Sequence, residues 1–279
     1  MMTEESNGLT KRIFELLDRP EVSRVLFHPR RDPPQLQGAP NVHPLRIKVD
    51  QGVAVGGRLH VARPDGPTIL FFHGNGEIAS EYDGIAPAYT RMGVNLLAVD
   101  YRGYGSSDGQ PTASRLLADA SAVYRASDAL LATHGLNRER LFVMGRSLGS
   151  AAAIEIAAHA GAGIAGLIIE SGFAYTLSLL TTLGLRLELP ETGPGAPERA
   201  KIGFGSLDKI AQVRVPTLII HGEADWLIPV ENGHTLYERC GAANKRLLTI
   251  PHAGHNDLLL VGQRAYFEAI HTLVWGADR

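Results

Sequence analysis

From residue 68 onward, short apolar and β-branched runs alternate with longer amphipathic stretches, and this alternation constrains the fold more than any other feature of the chain. The runs are Thr68–Phe72, Asn95–Val99, Leu141–Met144, Gly166–Ile169, Thr217–Ile220 and Arg246–Ile250. Between them lie Ala113–Thr133, Ser150–His159 and Val230–Cys240, whose apolar residues recur at helical spacing. The short runs are continuously apolar, as expected of strands covered on both faces. Strand and helix in repeated alternation predict an α/β fold with a mostly parallel central sheet. Upstream, Leu45–Val49 and Val53–Val61 flank Asp50-Gln51-Gly52 and predict a β-hairpin, bringing the sheet to about eight strands.

The remaining segments fit around that sheet. Leu9, Ile13, Leu16 and Leu17 predict a helix that Pro20 stops. Five prolines between residues 28 and 44 predict an extended arm, so residues 1–44 are expected to pack on a single α/β domain spanning 45–279. One connection is unusually long, from Ser171 to Pro216. It carries Leu177, Leu179, Leu180, Leu183, Leu185, Leu187 and Leu189, then breaks at Gly193-Pro194-Gly195-Ala196-Pro197. A small helical lid is expected at about 172–212. Its leucines could line an acyl pocket or simply pack a helix on the sheet.

The sequence Gly145-Arg146-Ser147-Leu148-Gly149 has the G-x-S-x-G pattern of a nucleophile elbow. In a chain with 31 glycines the pattern is weak by itself, and it occurs again as Gly105-Ser106-Ser107-Asp108-Gly109. Context separates the two. An elbow is a strand that turns sharply into a helix. Leu141–Met144 runs straight into Ser147, and the small-residue stretch Ser150–Ala158 follows it. Ser107 stands well past the run Asn95–Val99 and is followed by Gln110-Pro111, so it reads as a glycine-rich loop residue.

A serine hydroxyl is a weak nucleophile at neutral pH and needs a base, which in turn needs an orienting acid. In the chain order serine, acid, histidine, Asp225 follows the strand Thr217–Ile220 and His255 follows the strand Arg246–Ile250. Glu223, Glu170 and His252 remain competitors, with Asp225 and His255 favoured by position. The oxyanion of an acyl-transfer intermediate needs two fixed N–H donors. The backbone N–H groups of Leu148 and of Asn75, in His73-Gly74-Asn75-Gly76, are the candidates. His73 is expected to hold that loop by hydrogen bonds. The role of Arg146 is left open between substrate contact and packing.

Five segments together resemble the α/β-hydrolase superfamily: His73–Gly76, Asp100–Ser107, the elbow at Ser147, Gly222–Asp225 and Gly254–Asp257. Their order is most similar to the branch holding the alpha/beta-hydrolase-domain depalmitoylases and the prolyl-oligopeptidase-like hydrolases. The resemblance implies the fold, a serine acyl-enzyme mechanism and a structural role for Asp100–Ser107. It does not specify a substrate. Depalmitoylases of this kind anchor through an N-terminal cysteine cluster; the single cysteine here is Cys240, so no stable membrane anchor is expected.

A net charge of −2 makes nucleic acid an unexpected partner. No H-E-x-x-H or P-loop pattern occurs, and neither a metal nor an organic cofactor is expected. The polar start Met1–Asn7 lacks a signal-peptide core, which predicts the cytoplasm. The expected activity is hydrolysis of a carboxylic ester or thioester in a small-molecule acyl substrate. Amide hydrolysis with the same triad, or a non-catalytic binding role on the same scaffold, are the alternatives.

Overall fold

A computed structural model describes residues 4–33, 41–187 and 203–276. Eight strands form one sheet: β1 (Val42–Asp50), β2 (Val53–His60), β3 (Thr68–Phe72), β4 (Asn95–Val99), β5 (Leu141–Arg146), β6 (Gly166–Glu170), β7 (Thr217–Gly222) and β8 (Lys245–Ile250), in the spatial order β1-β2-β4-β3-β5-β6-β7-β8. Strand β2 is antiparallel to both β1 and β4, and every later pairing is parallel. The predicted runs thus become strands at nearly the predicted bounds. The hairpin strand β1 begins earlier than predicted, at Val42, and takes Pro44 into an edge position, where a missing N–H costs no ladder bond.

Side chains of the inner strands divide between two cores although the strands read as uniformly apolar. Leu70, Phe72, Leu97, Val143 and Ile169 face one core; Ile69, Phe71, Leu96, Met144 and Ile168 face the other. The two-residue period of a strand sends neighbours to opposite faces, so an all-apolar run can be buried only if helices cover both. On the first face lie α1 (Glu4–Leu17), α2 (Pro20–Leu26), α4 (Ala113–Ala132), α5 (Gly149–Ala160), α6 (Thr176–Thr182), α7 (Ser206–Ile210) and α8 (Glu231–Arg239). On the second lie α3 (Ala86–Arg91), the single turn α9 (Leu258–Val261) and α10 (Gln263–Trp275).

Local chemistry accounts for the helix ends. Thr112 caps α4 by accepting the Arg115 N–H. Pro20 ends one helix as predicted but also starts α2, whose first position tolerates an absent N–H. Of the expected lid, α6 and α7 are described. Leu189 and the Gly193–Pro197 break lie outside the described residues. Among the described residues, no helix is long and apolar enough to cross a membrane.

The strand order reverses between β3 and β5, and loops leaving the carboxyl ends of these two strands part to opposite faces of the sheet. Open α/β sheets bind ligands at such a switch point. The predicted site residues all sit at this edge.

Candidate active site

Strand β5 delivers Ser147 into a tight turn before α5. The turn holds Ser147 at φ 52°, a left-handed conformation that costs a non-glycine residue about 1–3 kcal/mol. The flanking glycines are required by crowding. A Cβ on Gly149 would strike the Phe72 carbonyl oxygen, and one on Gly145 would strike the carbonyl of Gly149. The Ser147 N–H donates to the Glu170 carbonyl at 2.8 Å, which ties the elbow to the end of β6.

His255 lies in the loop after β8, with Nε2 3.0 Å from Ser147 Oγ and Nδ1 2.7 Å from Asp225 Oδ2. All three residues are buried. Asp225 sits in the loop after β7, where its other oxygen accepts the N–H groups of Leu227 and Ile228 at 3.0 and 2.8 Å. Burial pushes this carboxyl up. Hydrogen bonding to the His221 and His255 imidazoles and to the Ile228 N–H outweighs that effect and holds it well below the usual carboxylate range. Asp225 therefore stays ionised beside the His255 imidazole.

The competitors are placed elsewhere. Glu223 accepts a hydrogen bond from Thr249 Oγ1 at 2.9 Å, and Glu170 accepts from Arg146 and from the Tyr266 hydroxyl. His252 is exposed. Ser107 is buried in the loop after β4, where its Oγ accepts the Gly56 N–H at 2.7 Å.

Asn75 lies in the loop after β3 with its side chain turned outward. Oδ1 accepts the His28 N–H at 2.9 Å and the Tyr104 hydroxyl at 2.7 Å. Among the described residues, neither the Asn75 N–H nor the Leu148 N–H donates to an acceptor. Leu148 also opens α5, whose first turn adds the positive end of the helix dipole. His73 braces the loop with Nδ1 2.8 Å from the Gly74 carbonyl and its ring 4.5 Å from that of Tyr101.

Three contributors were not legible beforehand. His221 lies with Nε2 3.5 Å from Asp225 Oδ2 and donates to the Ile228 carbonyl at 2.7 Å, bracing the acid loop from beneath. His28, from the N-terminal arm, fastens Asn75. Glu77 joins the loop after β3 to Arg146. Only the strand-end position of His221, four residues before Asp225, offered a hint. A cavity of about 230 Å³ adjoins the histidine and is lined by Glu77, Tyr82, Arg146, Glu170, His255 and Tyr266.

Comparison with known proteins agrees with this architecture. Residues 64–191 and 205–259 match the family described as serine aminopeptidase, S33. The chain is 35 % identical over 211 residues to alpha/beta hydrolase domain-containing protein 17B of Homo sapiens, covering 74 % of this chain and 66 % of that one. It is 34 % identical to the 17C protein of Xenopus tropicalis, covering 61 % of its length. The chain thus spans under two thirds of the length of these relatives. Among solved structures, an esterase of Pyrococcus furiosus superposes with a TM-score of 0.68 at 20 % identity, covering 88 % of this chain and 98 % of that one. The Est1E protein of Butyrivibrio proteoclasticus with ferulic acid bound gives 0.65 at 23 %, covering 81 % and 99 %. The matched segments contain the elbow and both loops that meet at it, and the chain belongs to the serine aminopeptidase S33 family of the α/β-hydrolase superfamily.

Proposed function

We propose that this hydrolase cleaves a carboxylic ester or thioester of a small acyl substrate through a covalent acyl-enzyme on Ser147. The observation that carries the reading is the continuous line from Ser147 Oγ through both His255 nitrogens to Asp225, at 3.0 and 2.7 Å. Ser147 Oγ attacks the carbonyl carbon and its proton passes to His255 Nε2. The N–H groups of Leu148 and Asn75 receive the oxyanion. Collapse breaks the C–O or C–S bond, and the leaving oxygen or sulfur takes the proton from His255. Water then loses a proton to His255, attacks the acyl carbonyl and releases the acid with Ser147 restored.

An acyl substrate is favoured over a peptide by the loops themselves. Trp226, directly after the acid, is 77 % exposed, and Leu260, just after the histidine loop, is 85 % exposed. Ile85, Leu258 and Leu259 line the cavity at His255, and apolar lining there suits an acyl chain. Capture of a peptide's free amino terminus would call for an uncommitted carboxylate near His255. Of the three carboxylates lining the adjoining cavity, Glu77 and Glu170 are engaged by Arg146 and Glu81 by Arg30.

Fluorophosphonate labelling tests the mechanism. Wild type should label and Ser147→Ala should not, while Ser107→Ala should label as wild type does. Equal labelling of Ser147→Ala would remove the assignment. Faster turnover of aminoacyl amides than of acyl esters would replace esterase chemistry with amidase chemistry, and a pure protein inert to every probe and ester would point to a binding role.

A further inference from the structure

We propose that Arg146, directly ahead of the nucleophile, is a positioning residue that clamps the oxyanion loop and the histidine loop together across the elbow; the inference rests on the acyl-enzyme reading of Ser147. Its guanidinium is almost fully committed. Nε donates to Glu170 Oε1 at 3.0 Å, Nη1 donates to Glu77 Oε1, and Nη2 donates to the His255 carbonyl at 2.8 Å and to Asn256 Oδ1 at 3.0 Å. Four of the five N–H donors of an arginine are thereby used, which leaves little for a substrate.

The partners of Arg146 are themselves tied to the catalytic parts. Glu77 Oε2 accepts the Gly74 N–H at 2.8 Å and the Tyr82 hydroxyl at 2.6 Å, so the carboxylate fixes the residue next to Asn75. Glu170 Oε2 accepts the Tyr266 hydroxyl at 2.7 Å, and the Glu170 carbonyl accepts the Ser147 N–H. The carbonyl of His255 is held by the same guanidinium. One side chain therefore sets the base, the nucleophile and one oxyanion donor in a common frame.

Energetics favours a positioning role over a purely stabilising one. Burying one guanidinium with two carboxylates is costly, and apolar side chains of similar volume could fill the space at equal or better stability. Apolar packing could not fix the direction of a carbonyl, a carboxylate and an N–H together. The planar fork of arginine does so, and lysine, a point charge, does so less well. Burial acts to lower the pKa of Arg146, but Glu170 and Glu77 more than offset this and keep it charged.

The test is steady-state hydrolysis of p-nitrophenyl acetate by wild type and by Arg146→Lys, Arg146→Ala and Glu77→Gln, with thermal melts for each. Arg146→Ala is expected to lose about 100-fold in kcat with KM changed by less than about twofold, as for a displaced reacting group. Arg146→Lys should recover part of the loss. Low-millimolar guanidinium should raise the turnover of Arg146→Ala and leave wild type unchanged. Adding Glu77→Gln to Arg146→Ala should cost less than Glu77→Gln costs alone, because both act through one cluster. Wild-type kcat in Arg146→Ala overturns the proposal. So does a raised KM with unchanged kcat, which would make Arg146 a substrate contact. A loss that follows only the folded fraction, with no recovery by lysine or guanidinium, also overturns it. Failure of the acyl-enzyme reading looks different: the wild-type protein itself would not label with fluorophosphonate.

Discussion

The proposed chemistry depends on a single buried charge, that of Asp225. It faces two imidazoles and two backbone N–H groups, and it titrates below its ordinary value of 3.8. A carboxylate depressed on folding stabilises the protein fully above its unfolded pKa and loses that stabilisation as pH falls through its folded pKa. Denaturant unfolding between about pH 5 and pH 2 should therefore show a steeper loss of stability for wild type than for Asp225→Asn. Equal slopes would mean that the folded carboxylate is not favoured. The same substitution should lower kcat by about 10,000-fold, because an amide in place of the carboxylate favours the wrong imidazole tautomer. Hydrolysis of p-nitrophenyl acetate measures it.

At the scale of elements, the junction of β5 and α5 governs the site. The helix begins so close to β3 that only glycine fits at position 149. Gly149→Ala should push α5 away from Phe72, costing about 1–3 kcal/mol as an overpacked core does. It should also displace the Leu148 N–H and slow fluorophosphonate labelling of the folded fraction. Unchanged labelling in a destabilised variant would separate the packing of α5 from the oxyanion site. Helix α9 illustrates a different lesson. It lasts a single turn despite three consecutive leucines, because Gly262 interrupts it before α10.

At the scale of the whole molecule, the N-terminal arm is part of the site's support. Phe27 is buried in the first core, and the residues after it bond along the oxyanion loop and the loop after β4. The His28 N–H reaches Asn75, Arg30 Nη1 reaches the Gly76 carbonyl at 2.8 Å, and Arg31 Nη1 reaches the Ser107 carbonyl at 2.6 Å. Phe27→Ala should cost about 3–5 kcal/mol, as truncation of a buried aromatic does. It should also lower kcat through the loosened Asn75 loop. A destabilised variant with wild-type kcat below its melting range would show that the loop holds its shape without the arm.

The amino-acid sequence by itself determined the alternation of strands and helices, the strand bounds within a few residues, and the chain order of Ser147, Asp225 and His255. These are legible because burial on both faces demands uninterrupted apolar runs, and because an elbow demands glycines at fixed spacing. The N-terminal arm shows where such reading stops: nothing local in His28 or Arg30 points to a loop some 47 residues away. The same holds for Arg146, whose four bonds reach residues 24 to 110 positions distant. Only the tertiary structure decided these, because a hydrogen bond depends on where two groups meet in space, and a periodic pattern in sequence records only which face of an element is dry.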